Sequence, residues 1–386
     1  MKNFTIAIVT ALSATAYAFR CTNLTVPVNL SARNVVFNIT TPQNNVEVTN
    51  LILDLTRQGG SFVEQKVQGY AAVHGNYSLA ATYCTPDEHG PNEPESSNRK
   101  RSLAVQILTH GLGFDRSYWD LPYNGGNYSY SAVATDRYGY ATLSWDRLGV
   151  GMSSHGEPIN EIQAWLEVDG LRALTEGLRH GSIKGVPRFD RVLHVGHSFG
   201  STHVYALTAM YPNISDGIAL TGFSQNGSFV PYFALGANFV DVKTIPLLAP
   251  QYDHGYLATG DLSAFQANFL GQEQFDPAIL AFTATIGQPL AIGEILTIGS
   301  ETASLNTFSG PVLVVTGEHD VPFCGGSCYN GAPPNSSIPA QSQQYWTITS
   351  ISTIIVPGAG HALNLEYSHP FTYKCINEFF NQNAKA

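Results

Sequence analysis

Residues 191–201 read RVLHVGHSFGS, a short apolar run that continues into a Gly-x-Ser-x-Gly pattern. The aliphatic residues before Gly196 predict a buried strand, and residues 201–210 have the pattern of a helix. A sharp turn between the two would hold Ser198 in strained backbone and direct its hydroxyl group out of the fold. The N–H of Phe199, at the start of the helix, is then free to donate to an oxyanion. Because five-residue patterns recur by chance, the flanking strand and helix carry the interpretation of Ser198 as a nucleophile.

The first 18 residues have the composition of a secretory signal peptide. Lys2 provides a positive charge, residues 6–12 are mostly apolar, and residues 16–18 form a small-x-small cleavage site, Ala-Tyr-Ala. This apolar run is too short for a membrane-spanning helix, which needs about 18 or more apolar residues. We therefore expect a secreted protein without stable membrane insertion.

Eight Asn-x-Ser/Thr sequons follow the predicted signal peptide. In a secreted protein such sequons are acceptor sites for N-linked glycans. Together with the signal peptide they predict a secreted glycoprotein. The eight asparagines are Asn23, Asn29, Asn38, Asn76, Asn127, Asn213, Asn226 and Asn335.

The composition is that of a globular protein with a large core, since 44% of the 386 residues are hydrophobic. Only 12% of the residues are charged, about half the usual share, so uncharged polar groups and glycans must supply solubility. A net charge of −10 without a basic stripe argues against nucleic acid or an anionic membrane as a partner. The one basic run, residues 99–101, lies in a polar loop; we interpret it as a solvated loop, with a processing-protease site as the alternative.

Five cysteines remain in a chain that we expect to meet an oxidising compartment. Cys324 and Cys328 could close a small loop, Cys21 and Cys84 could join the mature N-terminus to the first strands, and Cys375 would be left over. The spacing leaves this connectivity open. A zinc site is the alternative, but Cys324 and Cys328 have no second matched pair. The sequence implies neither a metal nor another cofactor.

The chain has two regions with different hydrophobic patterns. Residues 26–83 contain short alternating segments, among them 35–37, 61–67 and 70–81, which predict antiparallel strands at a sheet edge. From residue 103 the pattern alternates between strands and helices, which predicts an α/β fold with a mostly parallel central sheet and helices on both faces. The predicted strands are 103–109, 140–145, 191–195, 217–221, 311–316 and 349–356, and the predicted helices are 130–138, 161–179 and 201–210.

Further polar residues follow the predicted strands, at the edge where parallel sheets bind ligands. The N–H of Leu112, in a His-Gly turn, could be a second oxyanion donor. Asp320 could orient a histidine, with Glu318 as a rival, and His361 lies in a glycine-containing loop. Each could alternatively be an ordinary turn or surface residue. The order Ser198, Asp320, His361 is the one known for a particular hydrolase fold.

Together these residues resemble the α/β-hydrolase-fold serine hydrolases, more narrowly secreted fungal members with a lid inserted after the sixth core strand. The resemblance covers about residues 103–386. It implies that Ser198 is the nucleophile, His361 the base and Asp320 the orienting acid. The long loop 321–344 departs from the family pattern. The matching motifs are HG at 110–111, DRLGVGMS at 146–153, GHSFG at 196–200, GEHD at 317–320 and GH at 360–361.

The predicted insertion, residues 225–308, is rich in Phe, Tyr, Leu and Ala and contains helical stretches at 261–270 and 277–286. It divides the predicted hydrolase core into residues 19–224 and 309–386. An inserted helical lid with an apolar inner face over the nucleophile would favour a bulky hydrophobic substrate, while simple packing against the core is the alternative. The candidate lining residues are Phe229, Tyr232, Phe233 and Phe239.

The predicted function is a secreted carboxylic ester hydrolase that acts through an acyl-enzyme on a fairly bulky, apolar small-molecule ester or lactone. A peptidase or amidase, a hydroxynitrile-type lyase and a non-catalytic binding protein are alternatives on the same fold. Related enzymes that open epoxides or remove halides need a carboxylate nucleophile. The serine at position 198 argues against both of those activities.

Overall fold

The computed structural model describes residues 19–86, 104–329 and 336–384. The predicted signal peptide, the basic run at 99–101 and the sequon at Asn335 lie outside these ranges, so the structure does not test them.

The main sheet has eight strands in the order β1-β2-β4-β3-β5-β6-β10-β11. The first two pair antiparallel with each other, β2 pairs antiparallel with β4, and all further neighbours are parallel. The predicted mostly parallel sheet is therefore confirmed. The strands are β1 (Phe19–Phe37), β2 (Val67–Pro86), β3 (Ala104–Thr109), β4 (Ala141–Trp145), β5 (Arg191–His197), β6 (Ile218–Thr221), β7 (Phe239–Asp241), β8 (Tyr256–Thr259), β9 (Leu290–Ala291), β10 (Val312–Gly317) and β11 (Ile351–Val356).

Helices cover both faces of this sheet. Strand residues that point to opposite faces accordingly belong to two different apolar clusters. Leu193 and Val195 of β5 belong to one cluster and Val192 to the other, as the period of two in a strand requires. In the described ranges, each helix is too short or too polar to cross a lipid bilayer. The helices are α1 (Asn45–Leu55), α2 (Phe62–Lys66), α3 (Tyr130–Ala132), α4 (Ala164–His180), α5 (Phe199–Met210), α6 (Val230–Gly236), α7 (Leu262–Phe269), α8 (Pro277–Ile286), α9 (Ile292–Thr297), α10 (Val321–Cys324), α11 (Ile338–Gln341) and α12 (His369–Asn383).

The N-terminal region differs from its prediction. Instead of several short strands, β1 and β2 form one antiparallel pair of 19 and 20 residues. The predicted strand at 61–67 is wrong, since Phe62–Lys66 is helical. Helix α1 was not predicted, although Asn44 Oδ1 accepts from the Glu47 N–H at 3.1 Å and the Glu47 carboxylate accepts from the Gln43 N–H at 2.8 Å at its start. Val48, Leu51 and Ile52 lie at helical spacing and are buried, so a helical period was present, although Val46 and Leu53 of the same helix are exposed.

The segment between β6 and β10 contains the predicted insertion. Helices α7 and α8 lie where helical stretches were predicted. The segment also contains a three-stranded antiparallel sheet, in the order β7-β8-β9, which was not predicted. The insertion is therefore a mixed α/β unit and not a purely helical one.

Two disulfides are present, Cys21–Cys84 between the paired residues of β1 and β2, and Cys324–Cys328 in the loop after β10. Cys375 is free and half-buried. Of the sequon asparagines in the described ranges, Asn226 is half-buried and the others are exposed. Within the same ranges, no group of three His, Cys, Asp or Glu side chains is arranged to hold a metal ion.

Candidate active site

Ser198 lies at the sharp turn between β5 and α5. Its backbone has φ 55° and ψ −120°, a conformation that residues with a side chain rarely adopt. The strained turn is held from both sides, because the Ser198 N–H donates to the Thr221 carbonyl at 2.9 Å and the Ser198 carbonyl accepts from the Ser201 N–H at 2.8 Å. The Ser198 side chain is nearly buried, with 9% of its residue surface exposed.

The turn after β3 lies directly against this serine. A Cβ atom at Gly111 would be 2.7 Å from the Ser198 Cβ, so only glycine fits there. In the described part of the chain, the N–H of Leu112 has no hydrogen-bond acceptor. Phe199 is the first residue of α5 and its N–H has no acceptor within the helix. Both predicted oxyanion donors are therefore free N–H groups on segments adjoining the serine.

Asp320 and His361 follow β10 and β11, two neighbouring parallel strands of the main sheet. Asp320 Oδ2 is 2.6 Å from His361 Nδ1, and both side chains are buried. The other Asp320 oxygen accepts from the Phe323 N–H at 2.8 Å. Glu318, the rival carboxylate, instead accepts from the Gly358 N–H at 2.8 Å. The structure thus pairs Asp320, rather than Glu318, with His361.

The second ring nitrogen of the histidine is free. His361 Nε2 is buried and has no hydrogen-bond partner among the described residues, Ser198 Oγ included. The aspartate at Nδ1 fixes the tautomer that carries its proton there, which leaves Nε2 as an acceptor. Hydrogen bonds between a nucleophile and its base are often long before substrate binds. The imidazole is therefore arranged to receive a proton from a group above the strand ends.

A second histidine, which the sequence analysis did not identify as a site residue, lies beside the first. The ring centroids of His197 and His361 are 4.8 Å apart. His197 also stacks on Tyr118, with the centroids 4.3 Å apart. Burial lowers the pKa of His197 well below the usual value, and the neighbouring His361 lowers it further. His197 is thus a neutral ring that packs against the base, and its position inside the Gly-x-Ser-x-Gly pattern was the only signal for it.

A buried cluster of charged side chains lies behind the turn after β3 that contains Gly111 and Leu112, which we call the oxyanion turn. Arg147 Nη1 donates to Glu294 and, at 2.8 Å, to Glu167. His203 bridges Glu167, at 2.8 Å, and Glu301, at 2.6 Å. Two members of this charge cluster, Glu294 and Glu301, come from the insertion. The cluster therefore joins the insertion to the core.

The charge cluster contacts both oxyanion segments. The backbone N–H of Arg147 donates to His110 Nε2 at 3.1 Å, and its Nη2 is 3.4 Å from the Gly111 carbonyl oxygen. Its guanidinium carbon lies 5.0 Å from the centre of the Phe199 ring. Because the Gly111 carbonyl and the Leu112 N–H belong to one planar peptide, holding the carbonyl also sets the direction of the N–H.

Two members of the charge cluster, Glu294 and His203, have raised pKa values. Burial raises the pKa of Glu294 to about 7, although Arg147 acts in the opposite direction. Burial lowers the pKa of His203, but the carboxylates of Glu301 and Glu167 outweigh it and raise that pKa to about 9. His203 is therefore charged at neutral pH, and Glu294 binds its proton more tightly than an exposed glutamate does.

The four predicted lining residues do not share one cavity. Phe233 and Phe239 are buried and lie in contact, with ring centroids 5.7 Å apart. Phe233 also contacts Phe269, whose centroid is 5.8 Å from that of His361. Phe229 lies against Gly325 of the disulfide loop, and Tyr232 is 60% exposed. Only Phe233 thus reaches the neighbourhood of the histidine, and only through another phenylalanine.

An apolar cavity of about 360 Å³ is present in the insertion. Gly113, the residue after Leu112, forms part of its wall. Phe265, another wall residue, packs against Phe269 with centroids 4.8 Å apart. This insertion cavity therefore adjoins the oxyanion turn on one side and the phenylalanine beside His361 on the other. None of the four predicted lining residues borders it.

Several solved structures are similar to this chain. A thermophilic esterase from Thermogutta terrifontis has 15% identity and a TM-score of 0.52, covering 91% of this chain and 98% of that chain. The epoxide hydrolase VrEH1 from Vigna radiata has 13% identity and a TM-score of 0.51, covering 79% of this chain and 95% of that chain. The enol-lactonase from Burkholderia xenovorans LB400 has 17% identity and a TM-score of 0.46, covering 79% of this chain and 97% of that chain.

Comparison with curated proteins gives no match. At identities this low, likeness to the solved structures shows the fold and not the reaction. A model of the alpha/beta hydrolase family matches residues 106–372, a span that contains the serine, the aspartate, the histidine and the insertion. The chain belongs to the alpha/beta hydrolase family.

Proposed function

We propose that the chain is a secreted serine hydrolase that cleaves a carboxylic ester or lactone of a fairly bulky apolar small molecule. The observation that carries the proposal is the hydrogen bond between Asp320 and His361, which leaves His361 Nε2 free beside the turn that holds Ser198. These are the residue types that acyl transfer requires, and the Asp320–His361 hydrogen bond is one of the two connections of a catalytic triad.

The catalytic cycle follows from these atoms. His361 Nε2 takes the proton of the Ser198 hydroxyl as the oxygen attacks the acyl carbonyl, and the Leu112 and Phe199 N–H groups bind the oxyanion that forms. Asp320 holds the imidazole and stabilises its charged form. His361 then donates the proton to the leaving alcohol, and water, activated by the same nitrogen, hydrolyses the acyl-enzyme.

The identity of the nucleophile separates ester hydrolysis from other reactions on this fold. The fold is shared with an esterase and with an epoxide hydrolase, so it does not decide the reaction. Opening an epoxide through a covalent intermediate needs a carboxylate that forms an alkyl ester, and position 198 provides a hydroxyl group. A serine hydroxyl with a histidine base instead forms an acyl-enzyme.

The preference for apolar substrates is supported by the insertion cavity. Its wall is mainly aliphatic and includes Ile245, Leu248 and Leu262. Burying each methylene group of a substrate there would contribute ~0.8 kcal/mol. Because Gly113 links the cavity to the oxyanion turn, we assign the cavity to the acyl or the alcohol portion of the substrate.

Secretion and N-glycosylation belong to the same proposal, which thus follows the secreted fungal members that the sequence resembles. They are supported by the composition of residues 1–18 and by the exposure of six sequon asparagines on the described surface. Expression in a eukaryotic secretory host should give a medium-borne protein whose mass falls on N-glycosidase treatment. Retention inside the cells with an unchanged mass would contradict this part.

The test of the activity is a substrate panel assayed on the glycosylated protein. We expect turnover of p-nitrophenyl esters and lactones, with kcat/KM rising from acetate towards longer acyl chains until the cavity is filled. Peptide amides should react far more slowly. A protein that turns over amides but no esters, or none of these substrates, would reject the proposal.

A further inference from the structure

Glu366 is a buried carboxylate that the proposed catalytic cycle does not use. Its Oε1 accepts from the Gly271 N–H at 2.5 Å and from the Gly360 N–H at 2.9 Å, and its Oε2 lies 3.1 Å from the Gly360 nitrogen. Gly271 belongs to the insertion, and Gly360 directly precedes His361. One side chain therefore connects the insertion to the loop that carries the base.

The backbones of these segments are in direct contact with the strand that leads to the acid. A Cβ atom at Gly360 would be 2.4 Å from the Gly271 nitrogen, and one at Gly317 would be 1.9 Å from the Gly360 carbonyl oxygen. Three glycines thus stack from β10 through the histidine loop to the insertion, at distances that exclude any side chain. The stack leaves little room for the segments to move relative to one another.

Two backbone hydrogen bonds flank the carboxylate. The Ala362 N–H donates to the Phe269 carbonyl at 2.7 Å, and the Tyr367 N–H donates to the Gln274 carbonyl at 2.8 Å. Residues 269–274 of the insertion are therefore bonded to the histidine loop on both sides of Glu366. A segment joined in this way is part of the wall that holds the base.

We propose that Glu366 is a positioning residue for His361, and that residues 269–274 are a fixed part of the site and not part of a moving lid. The inference rests on the proposed role of His361 as the base. Glu366 acts through Gly360, whose N–H it holds, and through Gly271, which keeps the insertion against the same loop. Any opening movement of the insertion then excludes this segment.

The contact requires a carboxylate and not merely a polar side chain of the same size. Burial raises the pKa of Glu366 to about 7, while the hydrogen bonds from the Gly271 and Gly360 N–H groups favour its ionised form. An ionised carboxylate only accepts hydrogen bonds, so it satisfies the two converging N–H groups. In Glu366→Gln, an amide oxygen in the place of Oε1 can still accept from both N–H groups, but the amide NH₂ group in the place of Oε2 would face the Gly360 N–H as a second donor. The variant keeps the size of the side chain and replaces one hydrogen bond by a contact between two donors.

The experiment compares wild type, Glu366→Gln and the control Asp241→Asn. Asp241 is also buried, lies in the insertion and accepts a backbone N–H, that of Lys243 at 3.1 Å. We expect Glu366→Gln to lower kcat and the rate of fluorophosphonate labelling by a common factor of roughly 10 to 100, with KM for a small ester unchanged. Asp241→Asn should lower the melting temperature and leave kcat unchanged.

A second variant, Gly271→Ala, tests the same contact in case Glu366→Gln does not fold. Gly271→Ala keeps the carboxylate but places a methyl group 2.4 Å from the Gly358 carbonyl oxygen, whereas Gly227→Ala in the same insertion meets no atom within 4 Å. We expect Gly271→Ala to lower kcat and Gly227→Ala to leave it unchanged. Amide hydrogen exchange should show that the Gly271 and Ala362 N–H groups exchange slowly in wild type.

The outcomes separate the two proposals. If wild type neither turns over esters nor is labelled, the proposed function fails. If wild type is active while folded Glu366→Gln and Gly271→Ala keep wild-type kcat and labelling rates, the positioning role is overturned and the proposed function stands. Fast exchange of the Gly271 and Ala362 N–H groups in wild type would overturn the fixed segment.

Discussion

The nucleophile half of the site, formed by Leu112, Ser198 and Phe199, differs from the base half, formed by Asp320 and His361, in what holds it in place. The nucleophile half lies at the ends of two neighbouring parallel strands and is backed by the charge cluster around Arg147. The base half is held by backbone contacts between the histidine loop and the insertion. The nucleophile half thus depends on a buried cluster of opposite charges, and the base half depends on close backbone packing around one buried carboxylate, that of Glu366.

The largest expected effect lies in the base half. Asp320→Asn should lower kcat by roughly 10⁴-fold, because the amide stabilises the wrong tautomer of His361 and cannot stabilise its charged form. Glu318→Gln is the matched control, since the Glu318 carboxylate accepts from the Gly358 N–H and not from His361, and should leave kcat nearly unchanged. Steady-state kinetics on a small ester measure both. The reverse result would transfer the acid role to Glu318.

The charge cluster of the nucleophile half predicts a large effect on stability. Arg147→Gln leaves the Glu294 carboxylate buried without its cation and leaves Glu167 with His203 as its remaining cationic partner, which should cost about 3–5 kcal/mol of unfolding free energy. Arg172→Gln is the control, because Arg172 forms its ion pairs at a half-exposed site, where such pairs contribute about 1 kcal/mol or less. Urea unfolding compares the two. Equal losses of unfolding free energy in the two variants would show that the charge cluster stabilises the fold no more than a half-exposed ion pair does.

Gly113 in the wall of the insertion cavity indicates that the cavity binds substrate beside the nucleophile half. Leu262→Trp should partly fill the cavity, and Leu262 is 39% exposed, so the larger ring can be accommodated. The kcat/KM ratio of octanoate to acetate ester should fall by roughly tenfold, as expected for losing about two methylenes of burial. Tyr232→Ala, outside the cavity, should keep the wild-type ratio. An unchanged ratio in Leu262→Trp would remove the cavity from the substrate site.

The smallest effect concerns pH and Glu294. Its folded-state pKa of about 7 lies above the usual 4.5, so between these values the folded state holds a proton that the unfolded state releases. The contribution of this group to stability therefore decreases as pH rises from about 4.5 to 7. Glu294→Gln removes the titration, so wild type should lose stability relative to the variant between pH 5 and 8. If the difference in unfolding free energy between wild type and Glu294→Gln were the same at pH 5 and pH 8, the raised pKa of Glu294 would be contradicted.

The sequence predicted the nucleophile half more completely than its supports. The serine turn is encoded within a few residues, and the alternation of strands and helices places Leu112, Asp320 and His361 at one sheet edge. The supports are non-local: Glu366 and Gly271 are 95 residues apart, and Arg147 and Glu294 are 147 apart. Sequence periodicity reports which face of an element is buried, but not which distant residue it meets.

The errors have the same origin. The segment 61–67 has the alternation of a strand, yet Phe62–Lys66 is a helix that connects α1 to β2, and only Val67 belongs to the strand that pairs with β1. The prediction that Tyr232 and Phe233 line one pocket followed from their apolar character. Their neighbours in space decide otherwise, since one side chain is exposed and the other packs on Phe269.

The measurement that most directly tests the central claim is covalent labelling of the glycosylated protein with a fluorophosphonate, followed by mass spectrometry of its peptides. We predict one added group on Ser198, loss of ester turnover in step with labelling, and neither labelling nor turnover in folded Ser198→Ala. A folded wild-type protein that turns over esters without being labelled at Ser198, or a Ser198→Ala variant that keeps near-normal rates, would contradict the account.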